Sequence, residues 1–345
     1  MTIATLACAG DVMISRPDPG SMLHQVEAYF QQADIGYCNL EGPTCDGGEK
    51  HPGKAGISLH LRSSPQTANA LIRAGIDVVS LANNHALDYG VAGLEQTIKA
   101  LDGVGIAHAG AGHDLAAARQ PAFLEVNGLR IALLSYTSVC VPPFAATATT
   151  PGVAMVRIKT TYAANLRLFQ QPGSPMLTRT TGEPEDVAML LDDVKAAKSG
   201  ADVVIVAWHW GISERWGKLA DYQKELGRAV IDAGASAIIG HHAHMLLGVE
   251  FYRGCPIFYS LGNFAFDLDH SYFRRESAIV LCNVSREGIS DVRVVPLLIN
   301  DHHEPVPVRV QGDGQKVVWF FEYLSEGLNT KFVNRGDHVE LLAES

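Results

Sequence analysis

The chain has only six cysteines, and no two of them form a CxxC pair. Cysteine-based zinc sites and disulfide frameworks rely on closely or regularly spaced thiols, so neither is indicated. Cys8, Cys38, Cys140 and Cys282 lie within or beside apolar stretches. Buried, reduced thiols are the simplest interpretation, and they fit a reducing compartment.

Long apolar runs and a basic charge excess are also missing. No apolar stretch reaches the roughly 20 residues of a membrane-spanning helix, and the N-terminus lacks the features of a signal peptide. We therefore expect a cytoplasmic protein without a membrane anchor. The formal net charge of −10 argues against a nucleic-acid partner, which normally meets a basic face. An anionic substrate stays compatible, because a bound metal supplies positive charge locally.

The 345 residues are 47% apolar, which is enough to form a large core. We find no repeat and no clear linker, so we predict a single domain over residues 1–345. A stretch rich in proline and threonine, about 142–182, interrupts the alternation of strands and helices and predicts either a lid or a solvent-exposed excursion. Residues of about 310–345 predict a C-terminal helix–strand extension. Oligomeric state is left open.

Six apolar stretches end in polar side chains that are able to bind a metal. Stretches of this length with β-branched residues predict buried strands of an α/β sheet. Ligands collect at the carboxyl ends of such strands. The side chains at these ends are Asp11, Glu41, Asn84 with His85, His209, the histidines at 241, 242 and 244, and Asn263. The sequence therefore predicts a metal site at one edge of a sheet.

The segment SLANNHALDYG is the most specific single motif. Asn84 offers an amide oxygen to a hard cation, and His85 stands beside the metal, where it can transfer a proton. Asp88, three residues later, is placed to orient that imidazole. Asn83 belongs behind the ligands as a supporting residue. The alternative interpretation is a network that caps local backbone groups.

Histidines dominate the second half of the chain. His242 and His244 are two residues apart after a predicted strand, so they can face one centre, whereas His241 faces away and supports them. His209 is flanked by tryptophans, and either a packed histidine or a nitrogen ligand fits its position equally well.

Substrate contacts are harder to identify. We predict them at Trp210, Arg215 and Trp216, at Asn263, and at Arg275 as a handle for an anion. The plainer alternatives are a turn residue for Asn263 and a solvated surface for Arg275.

Taken in order, GDVM, NLE, ANNHALDYG, HWG, GHHAH and YSLGNFAFD resemble the CapA-type proteins of capsule and poly-γ-glutamate biosynthesis, which look like a branch of the calcineurin-like metallophosphoesterase superfamily. The resemblance covers roughly residues 3 to 300. It implies an α/β four-layer sandwich with two mixed β-sheets flanked by helices. It also implies one or two divalent ions (Mn, Zn, Fe or Ca) and a proton carrier, His85. The implied metal ligands are Asp11, Glu41, Asn84, His209, His242 and His244.

This sequence departs from the resemblance at two points. Capsule-assembly relatives commonly carry an N-terminal membrane anchor, and Met13 stands where the wider superfamily has a ligand histidine. Some relatives modify ribosomally made peptides, including inversion at an α-carbon. Our first hypothesis is a metal-dependent enzyme that acts on a peptide or glutamyl-amide substrate, by amide-bond chemistry or α-carbon epimerisation. The expected partner is a peptide or polyglutamyl substrate. The alternatives are a two-metal phosphoester hydrolase and a non-catalytic, polymer-binding accessory protein.

Overall fold

The computed structural model describes residues 2–54, 56, 59–213, 217–268 and 273–344. Strands β1–β10 are Ala4–Met13, Ile35–Leu40, Val78–Ser80, Ala107–Ala109, Ala111–Gly112, Ala122–Val126, Leu129–Thr137, Gly152–Val153, Ile158–Ala163 and Leu177–Gly182. Strands β11–β20 are Val203–His209, Ala237–His241, Val249–Tyr252, Cys255–Phe258, Asn263–Phe266, Glu276–Ser285, Gly288–Ile299, Pro305–Pro307, Thr330–Asn334 and Val339–Ala343.

Helices α1–α7 are Glu27–Gln31, Thr67–Ala74, Gly90–Val104, Leu115–Ala118, Pro184–Gly200, Asp221–Asp232 and Gly314–Leu324. Short 3₁₀ turns occupy Pro19–Met22, Pro52–Lys54, Pro142–Phe144 and Leu166–Phe169. Helix α5 begins with Pro184 in its first turn, where the missing amide hydrogen costs nothing, and it carries acidic side chains beside that terminus.

Two mixed sheets form the centre of the molecule. Sheet I has ten strands in the order β19-β20-β17-β16-β1-β2-β3-β4, with β15 paired to β1 and β18 paired to β17. Sheet II has the order β13-β14-β12-β11-β7-β6. Strands β1 to β4 run parallel to one another, as do β7, β11, β12 and β14.

Side chains alternate across each strand, which builds the layers. In β1, Leu6 and Cys8 join an apolar cluster that also contains Leu133 and Ile205 of sheet II, whereas Ala7 packs on the other face with the helices α1 to α3. The outer face of sheet II packs against α5 and α6. The result is a four-layer α/β sandwich with the order helices, sheet, sheet, helices.

The stretch 142–182 is more regular than its composition predicts. Phe144 and Val153 are fully buried, so its first part belongs to the core. Strands β9 and β10 then form an exposed two-stranded hairpin. The C-terminal region has helix α7 followed by two strands, one more than the sequence predicts, because β19 pairs with β20.

None of the described helices is long and apolar enough to cross a membrane.

Close packing of backbone against backbone fixes the end of β1. A Cβ atom added at Gly10 would lie 1.9 Å from the carbonyl oxygen of Gly262, and the amide of the next residue, Asp11, donates to that same oxygen at 2.9 Å. Glycine at position 10 therefore allows the close approach that holds Asp11 in place.

We expect Gly10→Ala to lower the free energy of unfolding by about 3 kcal/mol, since backbone has to move to make room for the methyl group. Gly103→Ala is the matched control, because no heavy atom lies within 4 Å of a Cβ placed there in α3. This second change should raise stability by about 0.5–1 kcal/mol. Denaturant unfolding of both variants measures the contrast, and equal effects would contradict the close approach at Gly10.

Candidate metal centre

The carboxyl ends of strands from both sheets meet at one site. Sheet I contributes Asp11 in β1, Glu41 directly after β2, and Asn84 after β3. Sheet II contributes His209 as the last residue of β11, and a further histidine cluster follows β12. Parallel strands end at the same edge of their sheet, so distant segments deliver their polar residues together.

The Glu41 carboxylate occupies the middle of this site. Its side chain is fully buried, and neither oxygen has a hydrogen-bond partner among the described residues. The Nε2 atoms of His244, His209 and His85 lie 3.7, 3.8 and 3.9 Å from Glu41 Oε1. Ligand atoms of Asp11, Glu41 and His209 all lie within 4.8 Å of one another. A buried carboxylate inside a ring of imidazole nitrogens has the geometry of a cation site.

Asp11 is held from several sides. Asn39 Nδ2 donates to Oδ1 at 2.8 Å, and His241 Nδ1 lies 2.9 Å from the same oxygen. The backbone amide of His242 donates to Oδ2 at 3.3 Å. Burial is the largest single effect and acts to raise the pKa of Asp11, but His241, His244 and Asn39 together outweigh it and hold that pKa below its ordinary value.

Two of the imidazoles, His209 and His242, are kept neutral. Burial, followed by the neighbouring histidines, lowers the pKa of His209 well below its ordinary value, and burial together with His244 lowers the pKa of His242 to about 3. Burial also raises the pKa of Glu41 well above its ordinary value, and the Asp11 carboxylate adds to this effect. Neutral imidazole is the form that binds metals, so the donor set fits a divalent ion.

His242 and His244 adopt a backbone conformation that is unusual for non-glycine residues. Their φ angles are 91° and 53°, both in the left-handed region. The His242 ring lies 4.9 Å from the His209 ring and 6.0 Å from the His244 ring, measured between centroids. His244 Nδ1 lies 2.8 Å from Asn263 Oδ1, and Asn84 Oδ1 lies 2.8 Å from His209 Nε2. Strained backbone of this kind is concentrated at functional sites.

A second cluster lies against the first. His85 Nδ1 is 2.6 Å from Asp88 Oδ2, and the buried Lys54 forms an ion pair with the other oxygen of Asp88. Lys54 Nζ is also 3.0 Å from His85 Nδ1, and the Leu61 amide donates to Asp88 Oδ2 at 2.7 Å. The Asp88 carboxylate thus fixes the orientation of the imidazole, whose Nε2 faces Glu41.

Sequence reasoning missed Lys54. Burial lowers the pKa of this lysine, although Asp88 opposes the shift. It lies in a 3₁₀ turn at Pro52–Lys54, far from Asp88 along the chain, and no periodic pattern marks it. A lysine within the segment HPGK would have been the only available signal.

A buried hydrogen-bonded network supports the ligands from behind. The Tyr37 hydroxyl lies 2.7 Å from His241 Nε2 and 2.9 Å from Ser80 Oγ, which donates to Asn39 Oδ1 at 2.8 Å. Asn39 in turn donates to Asp11. Asn83 donates to the carbonyl oxygen of Leu40, and its own oxygen accepts from the His85 amide. Asn83 thus contacts the backbone of Leu40 and His85, and His241 lies between Tyr37 and Asp11. Their supporting role stays a prediction.

The residues predicted to contact substrate lie mostly in other environments. Trp210 is fully buried, stacks on Trp208 with centroids 4.6 Å apart, and donates to the Tyr259 carbonyl, so its assignment as a substrate contact is wrong. Asn263 is buried against His244 and supports that ring instead. Arg275 is exposed and forms an ion pair with Asp301 at 2.6 Å, which occupies its charge at the surface. Arg215 and Trp216 lie outside the described residues.

The site occurs within a recognisable family. Residues 5–268 match the profile of the bacterial capsule synthesis protein PGA_cap, a span that includes every predicted ligand. The chain belongs to this family. It is 31% identical over 336 residues to the PGA biosynthesis protein CapA of Bacillus subtilis, covering 95% of this chain and 79% of that protein. It is 32% identical over 322 residues to the capsule biosynthesis protein CapA of Bacillus anthracis, covering 91% and 71%.

Among solved structures, the calcineurin-like phosphoesterase YfkN from Bacillus subtilis superposes with a TM-score of 0.43 at 14% identity, covering 89% of this chain and 88% of that chain.

The strain at His242 is open to a direct test. We expect His242→Gly to be more stable than His242→Ala by about 1 kcal/mol in metal-free protein, because glycine adopts a left-handed φ without steric cost. Glu95, exposed within helix α3, provides the control pair, for which alanine should be the more stable by about 1 kcal/mol. Thermal unfolding of the four variants measures both differences, and the same ranking at both positions would contradict a strained His242.

Removal of the buried Lys54 should leave the negative charge of Asp88 without a balancing positive charge. Lys54→Met leaves the Asp88 carboxylate buried without its ion-pair partner, so we expect a loss of about 3 kcal/mol in the free energy of unfolding. Lys50→Met, at an exposed position four residues earlier, should change it by less than about 0.5 kcal/mol. Urea denaturation compares the two, and a stable Lys54→Met protein would show that Asp88 does not depend on this lysine.

Proposed function

We propose that this chain is a metal-dependent enzyme that acts on a peptide or glutamyl-amide substrate by acid–base chemistry. One observation carries the proposal: the buried Glu41 carboxylate lies among imidazole nitrogens, and one of these imidazoles, His85, is oriented by a carboxylate of its own. The choice of a glutamyl substrate is supported by the relatives, two of which are named for PGA or capsule biosynthesis.

The residues that would hold the divalent ion are Asp11, Glu41, Asn84, His209, His242 and His244. Carboxylate, amide and imidazole donors suit manganese, iron, zinc or calcium. When bound, such an ion polarises a substrate carbonyl and stabilises the negative charge that develops on its oxygen.

His85 is the group suited to move a proton. With Asp88 accepting from Nδ1–H, the Nε2 atom keeps its lone pair and faces the centre, which is the arrangement of a general base. Lys54 balances the charge of Asp88 through the other carboxylate oxygen, Oδ1. Asn83 fixes the backbone of His85 by accepting its amide hydrogen at 3.1 Å.

Two reactions use this arrangement. In epimerisation, His85 Nε2 takes the proton from an α-carbon next to a carbonyl, and solvent water protonates the opposite face. His85 then releases its proton to the hydroxide left behind, so the substrate keeps its composition. In amide hydrolysis, water adds across the C–N bond, and His85 passes the proton from the water to the departing amine nitrogen. Both reactions need the same placement of one base beside one carbonyl group.

Two-metal phosphoester hydrolysis has less support. The side chain of Met13 packs with Leu61 and Phe266 in an apolar cluster, and a thioether there is a poor ligand for the hard ions that such hydrolases use. A purely polymer-binding role does not explain why the imidazole of His85 is oriented by a carboxylate.

Paired variants test the proposal. We expect Glu41→Gln to lose most of the bound divalent metal, measured by elemental analysis of purified protein, because the central carboxylate is gone. His85→Gln should keep its metal but lose about 10²–10⁴-fold in turnover, the usual contribution of a general base. Turnover is followed with glutamyl peptides in deuterium oxide, as deuterium gained at an α-carbon or as amine released.

The outcome separates the candidates. Unchanged turnover in His85→Gln would remove the acid–base role. Turnover of aryl phosphates, but not of peptides, would favour the phosphoester hydrolase. If the wild-type protein binds peptide but neither binds metal nor turns peptide over, the result would favour the non-catalytic, polymer-binding role.

A further inference from the structure

A cavity of about 530 Å³ has Met13, His60, Leu61, Arg62, Tyr89 and Asp267 among its lining residues. The volume suits a small substrate group rather than a single water molecule. The cavity takes no part in the chemistry described above.

Two residues connect the lining of the cavity with the candidate metal centre. Met13 stands two residues after Asp11 on the same strand, β1. Leu61, another lining residue, donates its amide hydrogen to the Asp88 carboxylate that orients His85. A molecule that fills this cavity therefore reaches the residues next to the proposed base and the proposed ligands.

Two basic side chains line the cavity: Arg62, which is exposed, and His60, whose ring nitrogens are buried. The Arg62 guanidinium lies 4.5 Å from the centroid of the Tyr89 ring, and it enters no ion pair among the described residues. Both ring nitrogens of His60 are buried and have no hydrogen-bond partner in the described part of the chain. Unsatisfied buried donors and acceptors are rare in folded proteins, so the two His60 nitrogens point to a group that is bound in use. Stacking on Tyr89 limits how the Arg62 fork can turn.

The acidic residues of the wall leave Arg62 available. Asp267 is occupied by Arg16, whose Nη2 lies 3.0 Å from Oδ1 and whose Nε donates to Oδ2 at 3.2 Å. Asp46 is exposed, so water and salt screen its charge. A guanidinium fork matches a carboxylate in a bidentate manner. Leu59, Leu61 and Leu268 supply apolar surface of the kind that methylene groups prefer.

We propose that this cavity binds a free carboxylate of the substrate through Arg62 and His60, with the apolar wall against the methylene groups that carry it. The inference rests on the proposed function, since it assigns a substrate group to the same site. It selects an acidic glutamyl chain over a neutral peptide. A phosphate is the weaker fit, because a doubly charged group calls for more than one fixed cation.

Calorimetric titration of the metal-loaded, full-length protein with two probes tests the assignment. The probes are a γ-linked tri-glutamate and the same peptide with every free carboxylate converted to an amide. We expect the acidic peptide to bind at least about tenfold more tightly, and Arg62→Met to abolish that preference while metal content stays unchanged. Arg62→Lys should restore part of it, because the charge returns without the fork. Arg275→Met, at the exposed ion pair with Asp301, is the matched control and should bind like the parent.

Several outcomes would count against the cavity site. Equal binding of the two peptides, no binding of either, or preserved discrimination in Arg62→Met would overturn it. Displacement of the acidic peptide by equimolar inorganic phosphate would replace carboxylate recognition with phosphate recognition. The two proposals can fail separately. Arg62-dependent binding without bound metal or turnover would support the cavity site and contradict the enzymatic function. Turnover that depends on His85 but not on Arg62 would support the enzymatic function and contradict the cavity site.

Discussion

A carboxylate that is fully buried and has no hydrogen-bond partner in the described chain dominates this structure. Water solvates an ionised glutamate strongly, so burial of Glu41 is costly unless a proton or a cation compensates its charge. The protein surrounds it with imidazoles, and burial lowers the pKa of His209 and His85 among them, so these two supply lone pairs but no positive charge. A divalent ion bound at this point would supply the missing charge. The close contact at Gly10 and the left-handed backbone at His242 both serve to hold donor groups around that point.

The sequence predicts most residues of the candidate metal centre because the ends of strands can be located from the sequence alone. An apolar run that ends in Asp, Glu, Asn or His marks both the strand and its carboxyl end, and parallel pairing then brings those ends together. The four-layer order came from the family resemblance instead, since periodicity does not show which sheet a strand joins. The proline- and threonine-rich composition of 142–182 does not predict the packed segment or the hairpin found there. Exposed strands have little alternation of apolar and polar residues, so the sequence does not reveal the hairpin.

The errors have a common physical origin. Trp210 follows a strand end just as His209 does, but its indole packs on Trp208 and Tyr259, and only three-dimensional packing distinguishes the two. Lys54 and Tyr37 were missed because their partners, Asp88 and His241, are remote along the chain. Arg275 was assigned by charge alone, and a surface partner occupies that charge. Side chains that terminate strands are predictable, whereas those that reach the site from turns or from the middle of a strand are not.

The division of the donors between the two sheets governs when the centre can form. The carboxylates come from strands near the start of the chain, and the last imidazole stands at position 244, so most of the polypeptide must leave the ribosome before any complete site exists. Long-range sheet contacts of this kind form late in folding. A metal bound at this site would therefore be acquired by a nearly finished protein, and its identity would depend on which ions are available where folding ends rather than where translation begins.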